Sequence, residues 1–269
     1  MKAAVLRSAG AALPPLVFFL LVLAGWQAAT SIWEIPVYLV PGPRQVWDVA
    51  WEHAGELGRA VPLTGAAAAT GFLLSLVLGT LLGLVFAQSQ VIQRSIYPYA
   101  IFLQTVPIVA VAPLLILWFG YGFQGVVAVS FILSLFPIIT SATAGLTQVD
   151  PNLLELFEIH NASRTQVLLK LRLPNAVPHL VTGAKISCGL AVIGAIVGEI
   201  YAGFQGEHFG LGTLITRANG NLNTAYVFAG VICSTLLSIA IFATVSVLGT
   251  TILSRWHITQ RRGSTLVES

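Results

Sequence analysis

The segment Asp150–Pro178, DPNLLELFEIHNASRTQVLLKLRLPNAVP, decides how the rest of the chain is read. It holds three acids (Asp150, Glu155, Glu158) and three bases (Arg164, Lys170, Arg172), while the stretches around it carry almost none. Asp150 is a helix-capping residue and Pro151 suits the first helical position. Leu153, Leu154 and Phe157 then share one face, with Glu155 and Glu158 on the other. Asn161 tolerates the left-handed turn that ends a helix. Ser163 with Gln166 makes a capping box for a second helix. Leu173-Pro174 is predicted to end that helix, because a residue before proline is pushed out of helical geometry. The segment is thus predicted to be a two-helix loop with an apolar face that needs a cover.

On either side the chain is built for lipid. Of 269 residues, 56% are hydrophobic and only 9% charged, with a mean hydropathy of +0.86. Soluble domains carry roughly 25% charged residues. The uncharged runs are continuous rather than alternating, which argues for helices against a β-barrel. The run Ser8–Trp33 has a basic start but no small-residue cleavage pattern before Trp26, so it is read as a retained span rather than a signal peptide. Ser95–Val149 has no charge at all; as one helix it would reach about 80 Å, so it must fold back, and Gly120-Tyr121-Gly122 is the turn. Gly71, Ser75, Gly79 and Gly83 recur every fourth residue, a stripe suited to close helix packing in lipid.

The expected fold is an all-α membrane protein with six transmembrane helices, both termini cytoplasmic and a cytoplasmic two-helix coupling loop. Residues 1–12 form a cytoplasmic N-terminus, 13–33 the first span and 34–63 an external loop with a short helix. A core over 64–255 has spans near 64–87, 98–119, 123–146, 180–203 and 225–253, with the loop at 150–178. Residues 256–269 form a cytoplasmic tail. Residues 204–224 are read as an external loop around Gly210-Leu211-Gly212. This orientation puts Lys2, Arg7, Arg94, Arg164, Lys170, Arg172, Lys185, Arg255, Arg261 and Arg262 inside, and Arg44, Arg59 and Arg217 outside. The asymmetry satisfies the positive-inside rule.

Several chemistries are missing from the sequence. A phosphate-binding Walker loop needs Gly-Lys, but Lys2, Lys170 and Lys185 follow Met1, Leu169 and Ala184. The five histidines (His53, His160, His179, His208, His257) make no i,i+4 pair, so neither a metal site nor a cofactor is expected. Cys188 and Cys233 both lie in apolar spans and imply no disulfide. The net charge of +3 has no basic cluster beyond Arg261-Arg262, so nucleic acid is not an expected partner. Lys185 and Glu199 are the ionisable groups within spans, both near span ends. An interfacial role is the ordinary reading, although Glu199 is also a candidate for a central cavity on the external side.

Glu155, six residues before Asn161, then Leu173-Pro174, Pro178 and Thr182-Gly183, resembles the EAA signature of bacterial ABC importer permeases. Leu39-Val40-Pro41-Gly42-Pro43, Gln104-Thr105-Val106-Pro107, Pro113–Gly120, Val149-Asp150-Pro151 and Gly210-Leu211-Gly212 agree with it. Together they are similar to the branch that imports nitrate, sulfonates, taurine and thiamine precursors. The chain departs from the signature at Leu156 and Phe157, where alanines are usual, and at Asn161, where glycine is usual. The resemblance implies a non-enzymatic, multi-pass subunit of the bacterial inner membrane. Its partners would be a second copy of itself, two cytoplasmic ATPase subunits and an extracytoplasmic binding protein. Glu155, Leu156, Phe157, Asn161, Ser163, Arg164, Leu173 and Pro174 would carry the coupling to the ATPase, with Glu199, Gln104 and Pro107 as candidates for the pathway. Lys170–Pro174 and Ala191–Glu199 look closer to permeases for pyrimidine or flavin-type vitamin precursors than to those for nitrate. The lack of a buried cationic cluster also argues against a small anion. The competing classes are an ion-coupled carrier working alone and a membrane scaffold.

Overall fold

The computed structural model describes residues 2–203 and 210–264. The described chain is helical: α1 (Lys2–Ile32), α2 (Pro43–Glu52), α3 (Ala54–Gln88), α4 (Gln90–Gln104), α5 (Ile108–Phe119), α6 (Phe123–Thr147), α7 (Pro151–Ile159), α8 (Arg164–Val167), α9 (Leu173–Ala202), α10 (Leu211–Gly220) and α11 (Thr224–Ser264). Among the described residues, five helical stretches are long and apolar enough to cross a membrane: Leu13–Ile32, Ala54–Gln88, Phe123–Thr147, Arg164–Ala202 and Thr224–Ser254.

The centre is a sandwich of α3, α6 and α9, held at short range by small residues. All four members of the Gly71–Ser75–Gly79–Gly83 stripe are buried, and they face α6. A β-carbon at Gly83 would run into Ala142. On the other face of α6, a β-carbon at Gly194 would stand 2.6 Å from the Cα of Ser130. In lipid, where apolar surface gains little by leaving the solvent, this close fit is what drives association. Serines supplement it. Ser75 and Ser134 hydroxyls lie 2.7 Å apart, Ser75 also donates to the Phe131 carbonyl at 2.8 Å, and Ser130 donates to the Ala191 carbonyl of α9 at 2.9 Å.

The structure departs from the sequence reading in four places. The expected span at 98–119 is broken: α4 stops at Gln104 and α5 starts at Ile108. Pro107 has no N–H to give the Leu103 carbonyl, the Thr105 amide closes a tight turn on Phe102, and the Ala110 amide bonds Pro107 rather than Val106. The helix expected to begin near residue 64 begins at Ala54, because the His53 carbonyl accepts from both Glu56 and Leu57 amides. The helix after Ser163 does not end at Leu173-Pro174. A π turn over Leu168–Arg172 carries it without interruption into α9. The Leu173 amide bonds the Leu168 carbonyl, and this wider turn just before Pro174 gives the proline ring room within the helix. Finally, part of the expected external loop is α10, with Leu211 and Leu214 buried against Val46, Leu57 and Tyr226. Residues 204–209 of that loop lie outside the described residues.

Candidate coupling element and pathway

Helix α7 has no buried residue and stands between the ends of α6 and α8. Its two ends are closed by its own sequence. Asp150 Oδ1 accepts from the Asn152 amide at 2.9 Å. At the other end Asn161 adopts φ 49°, the Asn161 amide bonds the Glu158 carbonyl at 2.9 Å and the Ala162 amide bonds the Phe157 carbonyl at 3.0 Å. This is a Schellman closure with asparagine in the place glycine usually takes. The Ser163 amide donates to Gln166 Oε1 at 2.8 Å and the Gln166 amide to Ser163 Oγ at 3.3 Å, which starts α8. Ser163→Ala should therefore cost about 1 kcal/mol of local order, read as faster amide exchange at Thr165–Val167. Unchanged exchange there would show that the cap contributes nothing.

The apolar face differs from the one expected. Leu153, Leu156 and Ile159 are the exposed side chains, at 44%, 48% and 76%, and form a stripe at three-residue spacing. Leu154 and Phe157 are half-buried instead. Leu154 lines a cleft of about 370 Å³ with Glu158, Arg164 and Arg172, and Phe157 faces His160, Gln166 and Lys170. Ile159 lies outside the face expected from the leucines and Phe157, and its three-residue step from Leu156 is the sequence signal that places it on the stripe. Glu155, Asn161, Ser163 and Arg164 are exposed on the same arm, whereas Leu173 and Pro174 lie in α9 at its root. That root is anchored. An Arg172 guanidinium N–H donates to the Ala87 carbonyl at the end of α3 at 2.9 Å. Asn175 Nδ2 donates to the carbonyls of Gly145 and Gln148 at 2.8 and 3.0 Å.

The three pathway candidates separate. Gln104 and Pro107 flank the α4–α5 break and are exposed, and Gln104 lines a cavity of about 390 Å³ against α6 and α9. Glu199 is elsewhere, 7% exposed in the interior of the protomer. Its Oε2 accepts from Thr64 Oγ1 at 3.0 Å and from the Gly212 amide at 2.8 Å. The Leu211 amide donates to Thr64 Oγ1 at 2.9 Å, and Thr213 Oγ1 donates to the Glu199 carbonyl at 3.2 Å. The carboxylate thus ties α3, α9 and the first turn of α10 together, in the place where a helix favours negative charge. Gly212 belongs to the Gly210-Leu211-Gly212 motif noted in the sequence, whereas Thr64 is the residue of this knot that the sequence did not single out. Among the described residues, no group of three or more His, Cys, Asp or Glu side chains is placed to hold a metal ion.

A bundle of membrane-length helices, a cavity at a broken helix and an arm with an exposed apolar stripe suit a membrane transport component. The chain belongs to the family of binding-protein-dependent transport system inner membrane components, whose model matches residues 75–256. It is 35% identical to the formylaminopyrimidine transport permease of Halalkalibacterium halodurans over 87% of this chain and 92% of that one. It is 32% identical to the riboflavin transport system permease of Chloroflexus aurantiacus over 90% and 89%. Among solved structures, a methionine ABC transporter, MetNI, shares the fold with a TM-score of 0.65, at 17% identity, over 75% of this chain and 98% of that one. The chain is therefore an ABC importer permease subunit, a membrane transport component and not itself an enzyme.

Proposed function

We propose that this chain forms the translocation pathway of an ATP-driven importer as a homodimer, and that α7 with the Asn161 turn and the start of α8 is the plug for a cytoplasmic ATPase, one on each copy. The observation that carries this reading is the exposed Leu153–Leu156–Ile159 stripe, on a helix closed at both ends by hydrogen bonds and rooted in α9. An apolar stripe of this length is suited to a groove on a partner. Six crossings follow if α4 and α5 together make one, which puts both termini and α7 in the cytoplasm, as the distribution of Lys and Arg favours. An extracytoplasmic binding protein delivers the solute to the opposite face. The substrate is a pyrimidine- or flavin-type vitamin precursor rather than a sulfonate, taurine or nitrate, in keeping with the two relatives above.

A solitary ion-coupled carrier would need an ionisable side chain open to the pathway. Glu199 is instead buried inside the protomer, with Oε2 held by Thr64 and Gly212. Leu156→Asp and Ile159→Asp test the plug. Each places a charge in the docking surface without touching the bundle. ATPase co-purification should fall about tenfold or more, with ATP-dependent uptake in proteoliposomes. Intact co-purification and uptake in both variants, or uptake that persists without ATP, would sink the reading.

A further inference from the structure

We propose that the α4–α5 break is a substrate-reading site for an uncharged, planar heteroaromatic ring, with Gln104 as its specificity-determining side chain; this rests on the permease reading above. The site lies at mid-depth. Phe136 and Pro137, which line the cavity, are near the middle of α6, and Leu190 faces them from α9. Irregular backbone at that depth is stable only where protein buries it or a cavity keeps it wet. Helices interrupted at the midplane are where transport sites are built.

A proline contributes to the polar edge: Pro137 leaves the carbonyl of Leu133, which lines the cavity, without its helical donor. Thr105 Oγ1 already donates to the Phe102 carbonyl at 2.7 Å, so toward a ligand it can only accept. The Gln104 carboxamide is exposed and lines the cavity. It therefore offers both an N–H and a C=O, the pair that reads the edge of a pyrimidine or an isoalloxazine. The remaining walls are apolar, Phe136 offers a ring for stacking, and about 390 Å³ is within the range of small-molecule sites. Among the described residues, no charged side chain lines the cavity, so a sulfonate or nitrate would leave water for a wall without a cation.

The test uses the full transporter, assembled with its own ATPase and binding protein in proteoliposomes. The probes are labelled formylaminopyrimidine, riboflavin and taurine. Gln104→Leu should lower uptake of the transported heterocycle about tenfold or more, while hydrolysis stimulated by the binding protein persists. In a second variant Gln104→Cys, with Cys188→Ala and Cys233→Ala, the heterocycle should slow labelling by a membrane-permeant methanethiosulfonate, and taurine should not. Normal heterocycle uptake in Gln104→Leu, or labelling of Gln104→Cys that no probe slows, overturns the site and leaves the permease reading standing. Equal protection by taurine overturns the specificity. Failure of the unaltered transporter to take up either heterocycle overturns the substrate class, and the site with it. Only ATP-independent uptake would remove the underlying function.

Discussion

Gly194→Leu is expected to prevent assembly of the bundle, while Gly189→Leu, one and a half turns away on the same helix, is tolerated. The two glycines both lie within the apolar run of α9 and differ in what faces them. A β-carbon at Gly194 would lie 2.6 Å from Ser130 Cα and 3.0 Å from the Val129 carbonyl, so it meets backbone that cannot step aside. At Gly189 nothing lies within 4 Å. Overpacking a close-packed interior costs about 1–3 kcal/mol for an added methylene or two, and more when backbone must shift. Leucine at 194 would also part α6 from α9 and break the Ser130–Ala191 hydrogen bond. The replacement at 189 should be neutral or slightly stabilising, since glycine is worth about 0.8–1 kcal/mol less than a good helix former. Size-exclusion profile and thermal unfolding in detergent read both. Equal behaviour of the two variants would show that the α6–α9 approach does not hold the bundle together.

Glu199→Ala should be the second most damaging change. It strips the acceptor from the Thr64 hydroxyl and the Gly212 amide, both buried, at about 1–3 kcal/mol for each donor left unpaired. Thr64→Val removes a different part of the same knot, leaving the Leu211 amide and Glu199 short of a partner. Because the groups act as one network, the double variant should lose less than the sum of the single losses. Glu199→Gln keeps an acceptor oxygen and should fall between. Amide exchange over Leu211–Gly220 is the specific readout, as α10 is held down by this knot. Protection of α10 that is unchanged in Glu199→Ala would rule the tie out.

Local signals were legible in the sequence and long-range ones were not. Asp150, Asn161 and the Ser163/Gln166 box act on backbone within a few residues of themselves, so side-chain chemistry alone located them. The glycine stripe in α3 was legible for the same reason: periodicity states which face needs room. Proline was the poor guide. Pro62, Pro98, Pro113 and Pro137 all sit inside helices, whereas Pro107 coincides with a break. The difference lies in the neighbours, since Thr105 folds back on Phe102 and gives the chain another way to satisfy its amides. Pro174 misled in the opposite direction, because a π turn upstream made room for it. Glu199 looked like an acid in need of a purpose, and its partner Thr64 is 135 positions away, with nothing in either neighbourhood to join them.

In the proposed coupling, the unbroken helix from Arg164 to Ala202 would serve as a push rod. At 1.5 Å per residue its 39 residues are about 58 Å long, nearly twice the thickness of a bilayer's hydrocarbon core. One end is bonded to the arm, the middle walls the cavity through Leu190, and the far end is pinned through Glu199 to α3 and α10. Beyond the π turn, a rod of that stiffness absorbs little displacement locally. A tilt of about 10° at the pinned end swings the other by roughly 10 Å over that length. The π turn at Leu168–Arg172 is the one irregular joint along it, so the stroke delivered to the membrane is set by how far that joint yields.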